Sequence, residues 1–390
     1  MSAQHPAPAA APPTSLYVHL PWCVRKCPYC DFNSYTAGTA PPKARYLAAL
    51  TKDLRLEAGR MPGREIISVF LGGGTPSFFS PGEIAGVLQA ISAHFRLASD
   101  VEVTMEVNPG TVEGGDPAGY RAAGVNRLSI GAQSFSPASL TTLGRIHSPA
   151  DTRRTVAAAR AAGFDNFNLD LMFALPGQDV AAALADLDEA LALAPPHLSW
   201  YQLTLEPNTV FHARPPGGLP DDETAWAIQE AGRERLARHG FEAYEVSAYA
   251  RDGRRCRHNL NYWTFGDYYA AGAGAHGKLS TGNGVRRYAK PANPQAYMDD
   301  VERRTEPQPL GPALAAAEAL FECMLNGLRL EAGVDEARAL ERTGLEAAAF
   351  RAAAAGALRR GLLERTPGGA WRPTSLGFRF LNDLQAEFLA

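Results

Sequence analysis

Strand-like and helical segments alternate from Leu16 to about Tyr249, and this rhythm predicts an α/β fold: a parallel sheet with helices outside. Six or seven such units fit that stretch, enough for an open or complete barrel with its chemistry at the carboxyl ends of the strands. Beyond Gly311 the chain turns helical and then runs through GLLERTPGGAWRPT, which reads as a hairpin and predicts a small winged-helix-like α+β domain.

Each segment has its own reason. MSAQHPAPAAAPPTS is rich in Pro and Ala, so residues 1–14 are expected to form a disordered tail. The barrel is expected over residues 15–250. Its candidate strands are Leu16 to Leu20, Ser68 to Leu71, Val101 to Val107, Arg127 to Ile130, Phe167 to Leu171, His197 to Leu205 and Glu242 to Ser247. Helical stretches rich in Ala, Leu and charged residues, such as Lys43 to Ala58 and Val180 to Leu193, lie between most of them. Near Arg251 the rhythm breaks. Gly, Asn and aromatic residues dominate through Tyr288, as in HNLNYW and AAGAGAHG, so residues 251–310 are expected to form an irregular cap over a site. The C-terminal domain, 311–390, should turn its hairpin at Gly368 and Gly369 and end in a helix from Leu376 to Phe388. No repeat of solenoid type is visible.

Composition narrows the function classes. A length of 390 residues with 46% hydrophobic content suits one large domain and a smaller one. The net charge of −3 gives no basic field for nucleic acid. Residues 311–390 carry 9 Arg, no Lys and 10 acidic residues, so the winged-helix-like domain lacks the basic face that phosphate binding needs. Docking to a partner, or closing over the site, is the alternative use of that domain. No apolar run reaches the roughly 20 residues of a membrane span. The N-terminus has no basic region followed by an apolar core, so it does not read as a secretory signal. Five cysteines, three of them within eight residues, make a poor disulfide framework; a reduced, cytoplasmic setting and a metal site are expected.

The strongest motif is YVHLPWCVRKCPYCDFNSY, where Cys23, Cys27 and Cys30 form C-x3-C-x2-C just after the first strand. Zinc ribbons use paired CxxC knuckles and four ligands; here there are three thiolates and no second CxxC. Three cysteines leave one iron of a [4Fe-4S] cubane without a protein ligand. S-adenosylmethionine (SAM) can chelate that iron through its amine and carboxylate, and an electron passed to the sulfonium can cleave a carbon–sulfur bond.

On these residues the chain resembles the radical SAM superfamily, and within it the anaerobic coproporphyrinogen III oxidase-like family with its heme-chaperone branch, HemW. The resemblance spans about residues 15 to 290 and, more loosely, the C-terminal part. It implies an incomplete (β/α)6 TIM-like radical SAM barrel with the cluster at its open mouth. LGGGTP follows the second strand; its glycines let backbone come close to a ligand, with free N–H groups at a helix start. The resemblance makes Gly73, Gly74 and Thr75 the shelf for the methionyl end of SAM. It likewise implies SAM contacts for Glu106 in MEVNP, Gln133 in IGAQSF, Arg145, Asp170 in NLDLMFALPGQ, and Tyr17 and Tyr29 flanking the cluster. Taken singly, Arg145 reads as a surface ion pair, Asp170 as a helix cap and Tyr17 as core; their arrival at successive strand ends argues for a site.

Two features divide chaperone from oxidase. The oxidase branch carries a fourth cysteine two residues after the third, where this chain has Phe32, and a longer segment before the cluster. HNLNYW, His258 to Trp263, resembles the HNxxYW motif that the HemW branch associates with heme. Neutral imidazole ligates heme iron, and Tyr and Trp rings pack on a flat macrocycle. From the residues alone, His258 and Asn259 read as capping groups and Tyr262 and Trp263 as core. The resemblance points instead to heme held by His258, Tyr262 and Trp263, with Cys256 and His276 as further candidates. Cys323, among Phe321, Met324 and Leu325, reads as a core thiol. The function implied is a heme chaperone, with heme and apo-hemoprotein acceptors at the membrane face as partners. The alternative is the oxygen-independent oxidase, which decarboxylates two propionates. No catalytic residue is assigned, and SAM cleavage is open to either branch.

Overall fold

The computed structural model describes residues 11–110 and 116–389. Among these described residues eleven strands form one sheet. They are β1 (Thr14–Leu20), β2 (Glu65–Gly73), β3 (Arg96–Val107), β4 (Arg127–Gln133), β5 (Phe167–Phe173), β6 (His197–Gln202), β7 (Glu242–Glu245), β8 (Ala248–Ala250), β9 (Asp267–Ala271), β10 (His276–Thr281) and β11 (Gly284–Ala289). Their spatial order is β11-β10-β9-β1-β2-β3-β4-β5-β6-β8-β7, an open sheet and therefore an incomplete barrel. Strands β1 to β6 run parallel, each next to its predecessor. Their apolar runs suit strands covered on both faces; every residue of β4 is buried. The outer helices begin where a side chain caps them, as Ser80 with Glu83, Ser148 with Asp151, and Asp179 and Asp221 do.

Three expectations need correction. Thr14 already belongs to β1, and Asp267 N–H donates to the Pro13 carbonyl (3.0 Å), so the chain is ordered before residue 15; residues 1–10 of the expected tail lie outside the described residues. The seventh candidate strand, Glu242 to Ser247, is not another parallel unit. It splits into β7 and β8, an antiparallel hairpin on the edge of β6. The seventh parallel strand is β9, which pairs with β1 and comes from the stretch expected to be irregular. That stretch also holds the helix Arg257–Trp263, the antiparallel pair β10 and β11, and the helix Pro294–Arg303. Its glycines mark close crossings rather than irregular chain. A Cβ on Gly272 (φ +103°) would lie 2.4 Å from the His19 carbonyl oxygen, and one on Gly274 would lie 2.2 Å from Asn33 Nδ2.

Residues 316–386 form the winged-helix-like domain: helices at Ala316–Gly327, Glu336–Thr343 and Ala347–Arg359 beside a three-stranded sheet of Val334–Asp335, Leu363–Arg365 and Ala370–Pro373. The expected last helix is broken into Ser375–Arg379 and Leu381–Ala386. A main core lies between sheet and outer helices. A second core joins this domain to Phe265 and Val285, and Cys323 is buried in it. Among the described residues no helix is long and apolar enough to cross a membrane.

Candidate functional site

The three motif cysteines lie on a loop that leaves the carboxyl end of β1. Parallel pairing of β1 with β2 brings GGGTP against the start of this loop. There Gly74 N–H donates to the Leu20 carbonyl and Thr75 N–H to the Trp22 carbonyl, both at 2.8 Å, while Gly73 N–H donates to Glu106 Oε2 at 3.2 Å. The N–H groups expected to be free for a ligand are therefore engaged, and the glycines answer a packing need. A Cβ on Gly73 (φ +116°) would strike the His19 ring at 2.4 Å, and one on Gly74 would lie 2.7 Å from the Pro21 carbonyl carbon. On its far side the loop is held by Asn33, whose carbonyl lies 2.8 Å from His19 Nε2 and whose amide donates to the Ala273 and Ala292 carbonyls.

Above the sheet is a cavity of about 620 Å³, lined by Cys23, Cys27 and Cys30 and by side chains from successive strands. Side chains alternate across a strand. Hence Arg127, Ser129, Gly131 and Gln133 of β4 all face the cavity, as do Asn168, Asp170 and Met172 of β5 and Ser199 and Tyr201 of β6. Closed (β/α)8 barrels fill this space with branched apolar residues. Here small and polar residues leave it open. The side wall comes from Cys256, Asn259 and Trp263, and from Arg329, which reaches in from the C-terminal side and stacks 4.5 Å over the Trp263 ring.

The cavity holds unusual charges. Burial, helped by neighbouring Asp170, raises the Glu106 carboxyl to about 8. Burial also raises Asp170, although Ser129 Oγ (2.9 Å) and Asn168 Nδ2 (2.8 Å) donate to it. Arg145 is no surface ion pair. Its Nη2 donates to Asn108 Oδ1 and the Gly131 carbonyl, both at 2.8 Å, and its Nη1 lies 3.9 Å from Cys27 Sγ. Gln133 sits at φ 64°, a conformation side-chain-bearing residues avoid, and its Oε1 accepts from Tyr201 OH at 2.9 Å. Burial pushes the Cys23 and Cys30 thiols up, so both are protonated at neutral pH until a metal displaces the protons.

Of the residues expected at SAM, the structure gathers Tyr29, Gly73, Gly74, Thr75, Glu106, Gln133, Arg145 and Asp170 around one cavity with the cysteines. Tyr17 is not on its wall. Its hydroxyl lies 2.9 Å from His19 Nδ1, so it supports the residue that holds the cluster loop. His258 and Tyr262 are also displaced from their expected place. On the helix Arg257–Trp263, Asn259 and Trp263 face the cavity, whereas His258 and Tyr262, one turn apart, face the sheet. The His258 ring packs 4.9 Å from Phe70, with Nδ1 3.4 Å from Ser68 Oγ, and burial lowers it to about 3, so it is neutral. Tyr262 stacks on Tyr268 at 4.0 Å. His276 opens β10 and is exposed, away from the cavity, whereas Cys256 is on its wall. Arg127, Asn108, Tyr201 and Arg329 were not expected; the alternation along β4 and β6 was the signal for two of them.

The donor set fits a cubane better than a single ion. Among the described residues no three His, Cys, Asp or Glu side chains converge on one metal position. A cubane places each thiolate on a different iron and needs no such convergence. The tethered loop, the Arg145 cation at Cys27 and an adjoining polar cavity supply the surroundings that a cluster and SAM require.

Comparison with known proteins agrees. Residues 17–190 match the model of the radical SAM superfamily, and residues 314–380 match that of the HemN C-terminal domain. The solved structure of coproporphyrinogen III oxidase (HemN) from Escherichia coli superimposes with a TM-score of 0.81 at 22% identity, over 97% of this chain and 90% of that one, a likeness of fold. The heme chaperone HemW of Haemophilus influenzae is 43% identical over 97% of this chain and 98% of its own length. That of Escherichia coli is 45% identical over 97% of this chain and 99% of its own. With similarity of that depth running end to end, the chain belongs to the radical SAM superfamily and, within it, to the family of the heme chaperone HemW.

Proposed function

We propose that this protein binds heme and delivers it to apo-hemoproteins, with a [4Fe-4S] cluster on Cys23, Cys27 and Cys30 and SAM in the adjoining cavity. The observation that carries this reading is the end-to-end similarity to relatives named heme chaperones. The site supports it. Phe32 is 58% exposed at the cavity mouth, where the oxidase branch has its fourth cysteine, so an apolar ring meets an arriving ligand there. A bound cluster supplies low-potential electrons and one open iron position. Around it, in this reading, Glu106 and Asp170 accept hydrogen bonds from a SAM amine and ribose, Arg145 holds a fixed cation beside Cys27, and Tyr29 closes the side. Tyr17 serves through His19. The heme contact is Trp263 and the cavity wall rather than His258, whose ring is covered by Phe70. Acceptors at the membrane face belong to the same reading, as does a cytoplasmic setting.

Anaerobic titration of the cluster-loaded protein with heme decides the matter, run beside incubation with coproporphyrinogen III, SAM and a reductant. The expected result is about one heme per chain, a Soret band, and no decarboxylated product by mass. Steady turnover of the porphyrinogen overturns the chaperone reading in favour of the oxidase.

A further inference from the structure

Arg127 opens β4, six residues down the strand from Gln133 and so roughly 20 Å below the cavity mouth. It is 2% exposed and faces the cavity. Among the described residues its guanidinium donates no hydrogen bond and forms no ion pair, and its Nε is buried without a partner. The nearby acids are engaged elsewhere. Glu102 Oε1 accepts from the Arg257 N–H at 2.9 Å, and Asp170 accepts from Ser129 and Asn168. Both act on Arg127 through space only. The other arginines of the cavity wall differ: Arg25 is exposed to solvent, Arg145 is bonded to Asn108 and Gly131, and Arg329, though its Nε is also unpartnered, is bonded through Nη2 to Glu245 at 3.0 Å. On the same wall the Trp263 indole Nε1 is a second buried donor without a partner. Glu102 and Asp170 offset the Arg127 charge through space, but its buried Nε has no partner, and a buried donor left unmet asks for a ligand.

We propose that Arg127 anchors a carboxylate of the ligand that fills the cavity, and that this carboxylate is a tetrapyrrole propionate. A guanidinium fork matches a carboxylate in two parallel hydrogen bonds. SAM chelating the cluster commits its own carboxylate to iron and so does not supply the one that Arg127 would bind. A macrocycle in this cavity can set its apolar body against Met172 and Trp263 and turn its acidic edge toward Arg127. The identity of the carboxylate rests on the heme reading; the anchor rests on the geometry.

Titration of the anaerobic, cluster-loaded chain with iron protoporphyrin IX and with its dimethyl ester tests the anchor, read by the Soret band. The wild type should prefer the free acid by about 10- to 100-fold. Arg127→Gln should bring the two within about twofold while iron content and SAM affinity persist. Arg127→Lys, which keeps the charge without the fork, should retain part of the preference and covers the case in which the glutamine variant does not hold its cluster. Equal affinity of the wild type for acid and ester overturns the proposal, as does an undiminished preference in Arg127→Gln, or a loss confined to SAM. No Soret band with either porphyrin, by contrast, removes the heme reading itself and the propionate with it.

Discussion

Replacing Glu106 with glutamine should make the metal-free protein more stable at neutral pH while weakening its hold on SAM. The magnitude follows from burial. The carboxyl is raised from 4.5 to about 8. At about 1.4 kcal/mol per pKa unit, ionising it in the folded protein costs about 5 kcal/mol. The sign is set by proton counting. Between pH 4.5 and 8 the folded chain holds a proton that the unfolded chain has lost, so stability falls as pH rises, by about 1.4 kcal/mol per pH unit. At pH 7 the accumulated loss is about 3 kcal/mol. Glutamine has no such proton to lose and keeps an oxygen for the Gly73 N–H, which Glu106 now accepts at 3.2 Å. Denaturant unfolding of metal-free wild type and Glu106→Gln at pH 5 and pH 7.5 measures the difference. The variant should gain little at pH 5 and up to about 3 kcal/mol near pH 7. SAM binding should show the reverse cost, because an amine beside Glu106 draws the carboxyl into its charged form: wild-type affinity should climb with pH toward 8, and the variant should lose that part of the slope. Parallel stability profiles for the two proteins would falsify the assignment of Glu106 as a buried, strained acid.

Three further outcomes follow from the same geometry. Cys23→Ala should prevent reconstitution of about four irons per chain, while Cys256→Ala and Cys323→Ala should leave iron content unchanged; iron loss in either of the last two would show that the ligands are misassigned. Gly73→Ala places a Cβ 2.4 Å from the His19 ring at φ +116°, so it should cost more than about 1 kcal/mol and loosen the cluster loop; iron content and unfolding midpoints like those of the wild type refute that. His258→Ala should cost about 1–3 kcal/mol of stability, as loss of a packed core ring, and leave the Soret band in place; a lost Soret band with unchanged stability would return His258 to the heme.

The sequence by itself determined the chemistry and the main scaffold. C-x3-C-x2-C after a first strand, with no second CxxC, is a local pattern whose meaning depends on spacing, and it survives folding intact. The alternation of strands and helices determined the parallel sheet for a similar reason: apolar runs and helical stretches are written in contiguous residues. Glu106, Gln133 and Asp170 came from the family resemblance; the strand alternation that sends every second side chain to one face was a signal for Arg127 and Tyr201 that the sequence reading did not use. Only the tertiary structure decided what depends on which distant segments meet. Asp267–Ala271 is a central strand because it finds β1 more than two hundred residues earlier; locally its Gly-rich neighbours look irregular. Those glycines, and Gly73 and Gly74, are explained by His19, Asn33 and the Pro21 backbone crossing within contact distance. HNLNYW became a helix with two faces, and its docking on the sheet sent His258 inward and Trp263 to the cavity. Arg127 shows the limit most plainly. Its position at the start of a strand is ordinary in the sequence; its buried, unpartnered Nε exists only once the surrounding acids have chosen other partners.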